Sequence, residues 1–176
     1  MNIAFIDGQN LHLGTKNCGW SVDHVKLRIY LKEKYRVSEA HYFLGFVSTA
    51  EKDLYDRLQK AGFILSFREH PLELKSNKKG NVDSDIIFSV MKKIIENDPF
   101  DKIFVISGDG DYKKMVDFLI KKGKFGKILF PNRKFASSLY MALGGEFFSY
   151  LEEKDVRAKI EYIHINKVSP EKKKAP

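Results

Sequence analysis

The chain has 176 residues, 43% of them hydrophobic and 13% aromatic, which is enough for one domain with a sizeable core. Its net charge of +8 is typical of proteins with an anionic partner, although solubility alone explains such a charge equally well. The single cysteine excludes an internal disulfide and a cysteine-based zinc cluster, and no apolar run approaches the ~18 residues of a membrane span. With no secretory pattern at the first residues, we expect a cytoplasmic protein without a membrane partner.

Short apolar segments alternate with segments of helical spacing along the chain. Strands are predicted at residues 3–6, 40–47, 63–67, 103–106 and 127–131, with a small edge strand at 146–150. Helices are predicted at residues 21–35, 49–62, 83–97, 112–123, 135–143 and 152–160. We expect Val22, Val25 and Ile29 to form the buried face of the first helix. Residues 8–11 are expected to turn the chain, and residues 15–20 to form a loop. The alternation predicts an α/β protein of the Rossmann-like class, a three-layer α/β/α sandwich around a mainly parallel sheet of five or six strands.

Carboxylates follow two of the predicted strands at the point where each strand ends. Asp7 follows the first strand, and Asp109 and Asp111 follow the strand at residues 103–106. In a doubly wound sheet these two strands are neighbours, and ligands bind at the carboxyl ends of the strands. Asp83 begins the helix that leads to the second of these strands. We therefore expect four carboxylates from three separate segments to lie in one crevice.

Such a cluster needs a compensating charge. Two carboxylates about 4 Å apart repel each other by about 4 kcal/mol at an effective dielectric constant near 20. Oxygen ligands without cysteine or paired histidine suit Mg²⁺ or Mn²⁺ better than Zn²⁺. Such an ion activates water and stabilises the oxyanions of a phosphodiester transition state. We expect Asp7, Asp83, Asp109 and Asp111 to be the metal ligands.

Each acidic residue also has a structural explanation of its own. Asp83 is explained as a helix cap, Asp109 or Asp111 as the cap of the helix at Tyr112, and Asp7 as a turn residue. These explanations treat the residues singly, and they leave open why the acids lie at the ends of buried elements that the topology brings together. Asn10 similarly is either an Asx-turn residue or a residue that orients the site.

Basic residues are predicted near the same edge of the sheet, where they would contact phosphates. A solvated surface explains any single one of them equally well. The predicted substrate-binding residues are Lys79, Lys113, Lys114, Arg133 and Ser107.

Three motifs carry a resemblance to a known family. They are Ile-Asp-Gly-Gln-Asn at residues 6–10, Lys-Gly-Asn-Val-Asp at 79–83 and Ser-Gly-Asp-Gly-Asp-Tyr at 107–112. They resemble the signatures of NYN domains, the LabA-like branch of the PIN-like nuclease superfamily. The resemblance covers about residues 1–150, and we expect a PIN-like domain over residues 1–160 followed by a basic tail at 161–176. The resemblance also implies a metal-dependent ribonuclease site at the four aspartates, supported by Asn10 and Ser107.

The leading hypothesis is a metal-dependent ribonuclease that acts on RNA, or on single-stranded DNA, with Mg²⁺ or Mn²⁺ as cofactor. Asp7, Asp83, Asp109, Asp111 and Asn10 would form its catalytic site, and the PIN-like mechanism implies a one-step in-line attack that leaves a 5′-phosphate. The resemblance makes a homodimer reasonable. The alternative is a non-catalytic, nucleic-acid-binding regulatory module of the same fold. A phosphatase that forms a phospho-aspartate is disfavoured, because such an enzyme would need a second aspartate two residues after Asp7, and this position is Gln9.

Overall fold

The structure is a computed structural model that describes residues 1–68 and 82–163. Its centre is a six-stranded sheet with the order β3-β2-β1-β4-β5-β6, in which all five pairings are parallel. The strands are β1 (Asn2–Asp7), β2 (Val37–Leu44), β3 (Ile64–Phe67), β4 (Ile103–Ile106), β5 (Phe125–Phe130) and β6 (Phe148–Tyr150). The predicted sheet is therefore confirmed, including the small edge strand and the pairing of β1 with β4.

Helices cover both faces of this sheet. They are α1 (Gly8–Lys16), α2 (His24–Tyr35), α3 (Lys52–Lys60), α4 (Asp83–Ile95), α5 (Lys113–Lys121) and α6 (Lys154–Ile160). Buried side chains of α4 and α5 form one core with the sheet, and those of α1, α2, α3 and α6 form a second core on the opposite face. This confirms the predicted three-layer α/β/α sandwich. Within the described ranges, no helix is both long and apolar enough to cross a bilayer.

The central strand β1 shows why its sequence lacks polar alternation. Ile3 and Phe5 belong to the α4–α5 core, whereas Ala4 and Ile6 belong to the opposite core. A strand covered on both faces must be apolar at every position. Its neighbour β4 is paired in register, with Ile6 opposite Ile106. The two strands therefore end side by side, which places the polar residues that follow them at one edge.

The predicted turn at residues 8–11 was wrong, because α1 begins directly after β1. Of the predicted loop at residues 15–20, only residues 17–20 lie outside this helix. The carboxylate of Asp7 caps this helix by accepting a hydrogen bond of 2.9 Å from the backbone N–H of Asn10. The glycine at residue 8 lets the start of α1 lie directly against β2. A Cβ atom on Gly8 would lie 2.4 Å from Cε1 of Tyr42 and 2.7 Å from the carbonyl oxygen of Phe43.

The buried face predicted for the first long helix was also wrong. Helix α2 begins at His24 and is capped by Asp23, and its buried residues are Leu27, Tyr30 and Leu31. Val25 and Ile29 remain 52% and 48% exposed. Both sets have helical spacing, but the larger side chains bury more apolar surface, so they face the sheet.

A continuous helix at residues 135–143 is likewise not formed. The segment instead contains the short 3₁₀ turns Arg133–Phe135 and Ser138–Tyr140. Its polar groups bond to the turn after β4: the N–H of Ser137 donates to the carbonyl of Gly108 at 2.9 Å. Packing against that turn, rather than helical spacing, therefore determines the conformation of this segment.

Candidate metal centre and active site

The candidate site lies at the carboxyl ends of β1 and β4, where Asp7 is almost fully buried. One of its oxygens caps α1, and the other accepts hydrogen bonds from the hydroxyls of Ser107, at 3.4 Å, and Tyr112, at 3.2 Å. Burial raises the pKa of Asp7, and the charges of Asp83 and Asp109 raise it further, against the lowering effect of the bonds from Asn10 and Tyr112. Burial therefore makes the charged form of the Asp7 carboxylate less favourable than it is in water.

Tyr112 connects Asp7 to Asp83, the first residue of α4. Its hydroxyl is fully buried and lies within hydrogen-bond distance of one oxygen of each carboxylate. Burial and the two carboxylates raise the pKa of Tyr112, so this hydroxyl stays protonated. A phenol has one proton and can donate to one carboxylate at a time. Both contacts are satisfied together only when one carboxylate holds a proton and donates to the phenol oxygen, which agrees with the raised pKa of Asp7.

The turn after β4 presents two further carboxylates. Asp109 caps a short 3₁₀ turn, Gly110–Tyr112, by accepting a hydrogen bond of 3.0 Å from the N–H of Asp111. The N–H of Asp109 donates to the hydroxyl of Ser107 at 3.1 Å, and the carbonyl of Asp109 accepts from Tyr140 at 2.5 Å. The turn is therefore fixed from both sides, while the Asp111 side chain is exposed.

Asp83, Asp109 and Asp111 form a group that we call the acidic triad. Each contributes a carboxylate oxygen, and these oxygens all lie within 4.8 Å of one another. Three oxygen ligands from two segments fit a hard divalent cation such as Mg²⁺ or Mn²⁺. Asp7 is not a member of this group, and its predicted role as a fourth ligand stays a prediction. Asp83 is not a helix cap, because Val82 occupies that position.

Asn10 and Gly108 hold the two strand ends together. The side-chain oxygen of Asn10 accepts a hydrogen bond of 2.8 Å from the backbone N–H of Gly108, so Asn10 joins the segments rather than closing a local Asx turn. A Cβ atom on Gly108 would lie 1.9 Å from the carbonyl oxygen of Phe135. The glycine lets the 133–140 segment pack directly on the turn that carries Asp109.

The predicted substrate-binding residues have different surroundings. The ammonium of Lys113 lies 2.6 Å from both carboxylate oxygens of Asp117, whereas Lys114 is exposed. The guanidinium of Arg133 lies 4.1 Å from the centre of the Tyr150 ring and 3.8 Å from the carboxylates of Glu152 and Glu153. Ser107 is buried and bonded to Asp7. Lys79 lies outside the described residues.

This arrangement of strand ends agrees with a known family. The family model for the NYN domain matches residues 3–151. The chain belongs to the NYN domain family. The NYN fold is nuclease-like, and the acidic triad of this NYN domain lies where the parallel strands end.

One curated protein is similar to this NYN domain in sequence, and one crystal structure is similar to it in fold. The low amplitude and bright protein LabA of Synechococcus elongatus is 22% identical over 166 residues, which cover 89% of this chain and 86% of LabA. A crystal structure of a protein of unknown function from Vibrio parahaemolyticus superposes with a TM-score of 0.74 at 14% identity. That match covers 92% of this chain and 95% of the other. The structural match supports the fold.

Sequence reasoning missed the role of Tyr112. The signal was present, because Tyr112 completes the Ser-Gly-Asp-Gly-Asp-Tyr motif directly after Asp111. We interpreted that position only as the start of a helix. The bond between Tyr112 and Asp83 joins residues 29 positions apart, and no local pattern predicts such a contact.

Proposed function

We propose that the protein is a ribonuclease that hydrolyses RNA phosphodiester bonds at the acidic triad with Mg²⁺ or Mn²⁺ as cofactor. The observation that carries the proposal is the convergence of three carboxylates from α4 and the turn after β4. Membership of the NYN family supports it, because that fold is nuclease-like. Three carboxylates whose oxygens lie within 4.8 Å of one another repel each other, and a bound cation would offset that repulsion.

The donor set suits the cofactor. Asp83, Asp109 and Asp111 would hold the ion through carboxylate oxygens, which Mg²⁺ and Mn²⁺ prefer. When bound, such an ion supplies an activated water and stabilises negative charge on the phosphate.

The remaining groups of the site have supporting tasks. Tyr112 orients Asp83 by hydrogen bonding, and Asn10 keeps the ends of β1 and β4 at a constant separation. Asp7 would complete the ligand set in its charged form. A nearby cation would favour that charged form, against the burial that raises the pKa of Asp7.

Basic side chains around the site would contact the RNA backbone. Lys114 is the clearest such residue, because it is exposed and follows the turn of Asp109 by five positions. Arg133 is also exposed, although Glu152 and Glu153 partly balance its charge. Lys113 is bound to Asp117 and would have to exchange that partner for a phosphate.

The test is to incubate the purified protein with labelled single-stranded RNA and with DNA of the same sequence, in Mn²⁺, Mg²⁺ or a chelator. We expect cleavage of RNA with either metal and none with the chelator. Cleavage that persists in the chelator would contradict the proposal. Salt-sensitive RNA binding without cleavage in any metal would identify the non-catalytic module instead.

A further inference from the structure

A cavity of about 770 Å³ lies next to the site, on the α2–α3 side of the sheet. Its walls come from α1, the start of α2, the end of β2 with the turn after it, and α3. The volume lies within the range of sites that take small organic groups. Nothing in the proposed cleavage chemistry uses this cavity.

Three aromatic side chains line the cavity. They are Tyr42, Phe46 and Tyr55. Tyr42 is fixed by a hydrogen bond of 3.4 Å to His24 and an edge-on ring contact at 5.6 Å. Rigid aromatic walls of this kind bind flat ring systems by stacking.

The charges that line the cavity nearly balance. Glu51 and Asp53 contribute two carboxylates, and Arg57 contributes one guanidinium. Burial lowers the pKa of His24, and the neighbouring Arg57 lowers it further, so this imidazole is neutral near pH 7. His12 adds a second imidazole to the lining. Among the described lining residues positive charge is not in excess, which disfavours a phosphate, and their donors and acceptors suit the polar edge of a nucleobase.

The position of the cavity connects it to the acidic triad. Gly8 and Gln9 line it, and they directly follow Asp7 in the chain. The triad lies on the α4–α5 side of the end of β1, and the cavity lies on the α2–α3 side. The two are connected through Asp7, which precedes Gly8 in the cavity wall and shares the hydroxyl of Tyr112 with Asp83 of the triad.

We propose that this cavity takes one unpaired base of the RNA, close to the phosphate that is cleaved. The inference rests on the proposed ribonuclease function, and it narrows the substrate class to single-stranded RNA, since a base held in a duplex cannot enter. The aromatic walls stack on the base, and the carboxylates and imidazoles bond to its edge. The phosphates stay outside, along the exposed basic residues.

Gly45 offers a direct way to fill the cavity. It lines the wall, its φ is not positive, and an added Cβ would meet no heavy atom of the described residues within 4 Å. The test variant is Gly45→Phe. The matched control is Gly145→Phe, because Gly145 is equally unobstructed but lies before β6, at the opposite edge of the sheet.

The experiment measures binding of a labelled ten-nucleotide single-stranded RNA in a chelator, so that no cleavage occurs. A matched set of RNAs carries one abasic position each. We expect Gly45→Phe to bind intact RNA about tenfold more weakly than the wild type, as loss of one stacked base requires, while Gly145→Phe binds normally. The wild type should also bind about tenfold more weakly to an RNA whose abasic position lies next to the cleavage site than to intact RNA. Gly45→Phe should bind that abasic RNA and intact RNA with the same affinity.

The outcomes separate the two proposals. Wild-type cleavage with equal binding by folded Gly45→Phe would overturn the cavity assignment and leave the ribonuclease intact. A wild type that neither binds nor cleaves any RNA would overturn both. If Gly45→Phe does not fold, the affinities of the wild type for the set of abasic RNAs test the proposal. Equal affinity for every RNA of that set would overturn the cavity assignment.

Discussion

The acidic residues fall into two regions that carry the same charge in different environments. Asp7 and Asp83 are buried and share the hydroxyl of Tyr112, whereas Asp109 and Asp111 lie on a turn that reaches solvent. Water screens charges on an exposed turn, but a buried carboxylate must be hydrogen-bonded, protonated or paired with a cation. From this comparison we expect substitutions at the buried pair to change stability, and substitutions on the turn to change the proposed cation and RNA binding.

The largest expected effect is on catalysis, from Asp109→Asn. Asparagine keeps the side-chain oxygen that accepts from the N–H of Asp111, but it removes one charge from the acidic triad. We expect RNA cleavage to fall about a thousandfold, because several kcal/mol of transition-state stabilisation depend on the bound ion. Without metal, the melting temperature of Asp109→Asn should equal that of the wild type or lie slightly above it, because the substitution relieves repulsion between carboxylates.

Asp155→Asn is the matched control, since Asp155 is an exposed carboxylate on α6. It should cleave RNA at the wild-type rate. Metal-dependent turnover by Asp109→Asn at the wild-type rate would refute the assignment of the acidic triad.

The next effect is on stability, from Tyr112→Phe. The change leaves the aromatic ring in the core but removes the hydroxyl between Asp7 and Asp83. We expect a loss of about 1–3 kcal/mol in the free energy of unfolding, the usual cost of buried polar groups that lose a partner. Urea unfolding in a chelator measures it. An unchanged midpoint would show that the two carboxylates do not depend on this hydroxyl.

A third prediction concerns pH and compares the wild type with Asp7→Asn. The folded-state pKa of Asp7 is raised above its ordinary value of 3.8, so the stability that this residue contributes is complete below pH 3.8. That contribution is lost as the pH rises through the folded-state pKa. Urea unfolding in a chelator should therefore show the wild type losing stability relative to Asp7→Asn over that interval. A pH-independent difference between the two proteins would contradict the buried-carboxylate account.

The smallest effect distinguishes two adjacent lysines. Lys114→Gln should lower the salt dependence of RNA binding by about 0.7 in the slope of log affinity against log salt, the value for one phosphate contact on a single strand. Lys113→Gln should change it less, because Lys113 is bound to Asp117. Equal slopes for both variants and the wild type would remove Lys114 from the proposed RNA-binding surface.

Much of the fold could be predicted because strand and helix patterns are local. The apolar run at Ile103–Ile106 and the acids after it predicted a buried strand and the edge where the site lies. One error was a local signal that we did not use, because the side chain of Asp7 caps α1 and the helix begins directly after β1. Another arose where distant groups determine local structure, because the bonds of the 133–140 segment to Gly108 and Asp109 replace a helix with 3₁₀ turns.

The sequence indicated which acidic residues belong to the candidate site, but not how their side chains contact one another. The motifs indicated which aspartates converge, and the structure brings Asp83, Asp109 and Asp111 together. They did not indicate that Tyr112 joins Asp7 to Asp83, since that contact depends on the packing of α4 against the end of β1. The cavity beside α1 was also missed, because its lining residues come from four separate parts of the chain.

The most direct test of the central claim is a titration of Mn²⁺ into the protein, followed by the loss of the free-ion electron paramagnetic resonance signal. Wild type and Asp155→Asn should bind Mn²⁺ with the same affinity, and Asp109→Asn should bind it at least about tenfold more weakly, the effect expected when a carboxylate ligand is lost. Equal Mn²⁺ binding by Asp109→Asn and wild type, or no binding by the wild type, would contradict the claim that the acidic triad is a cation site.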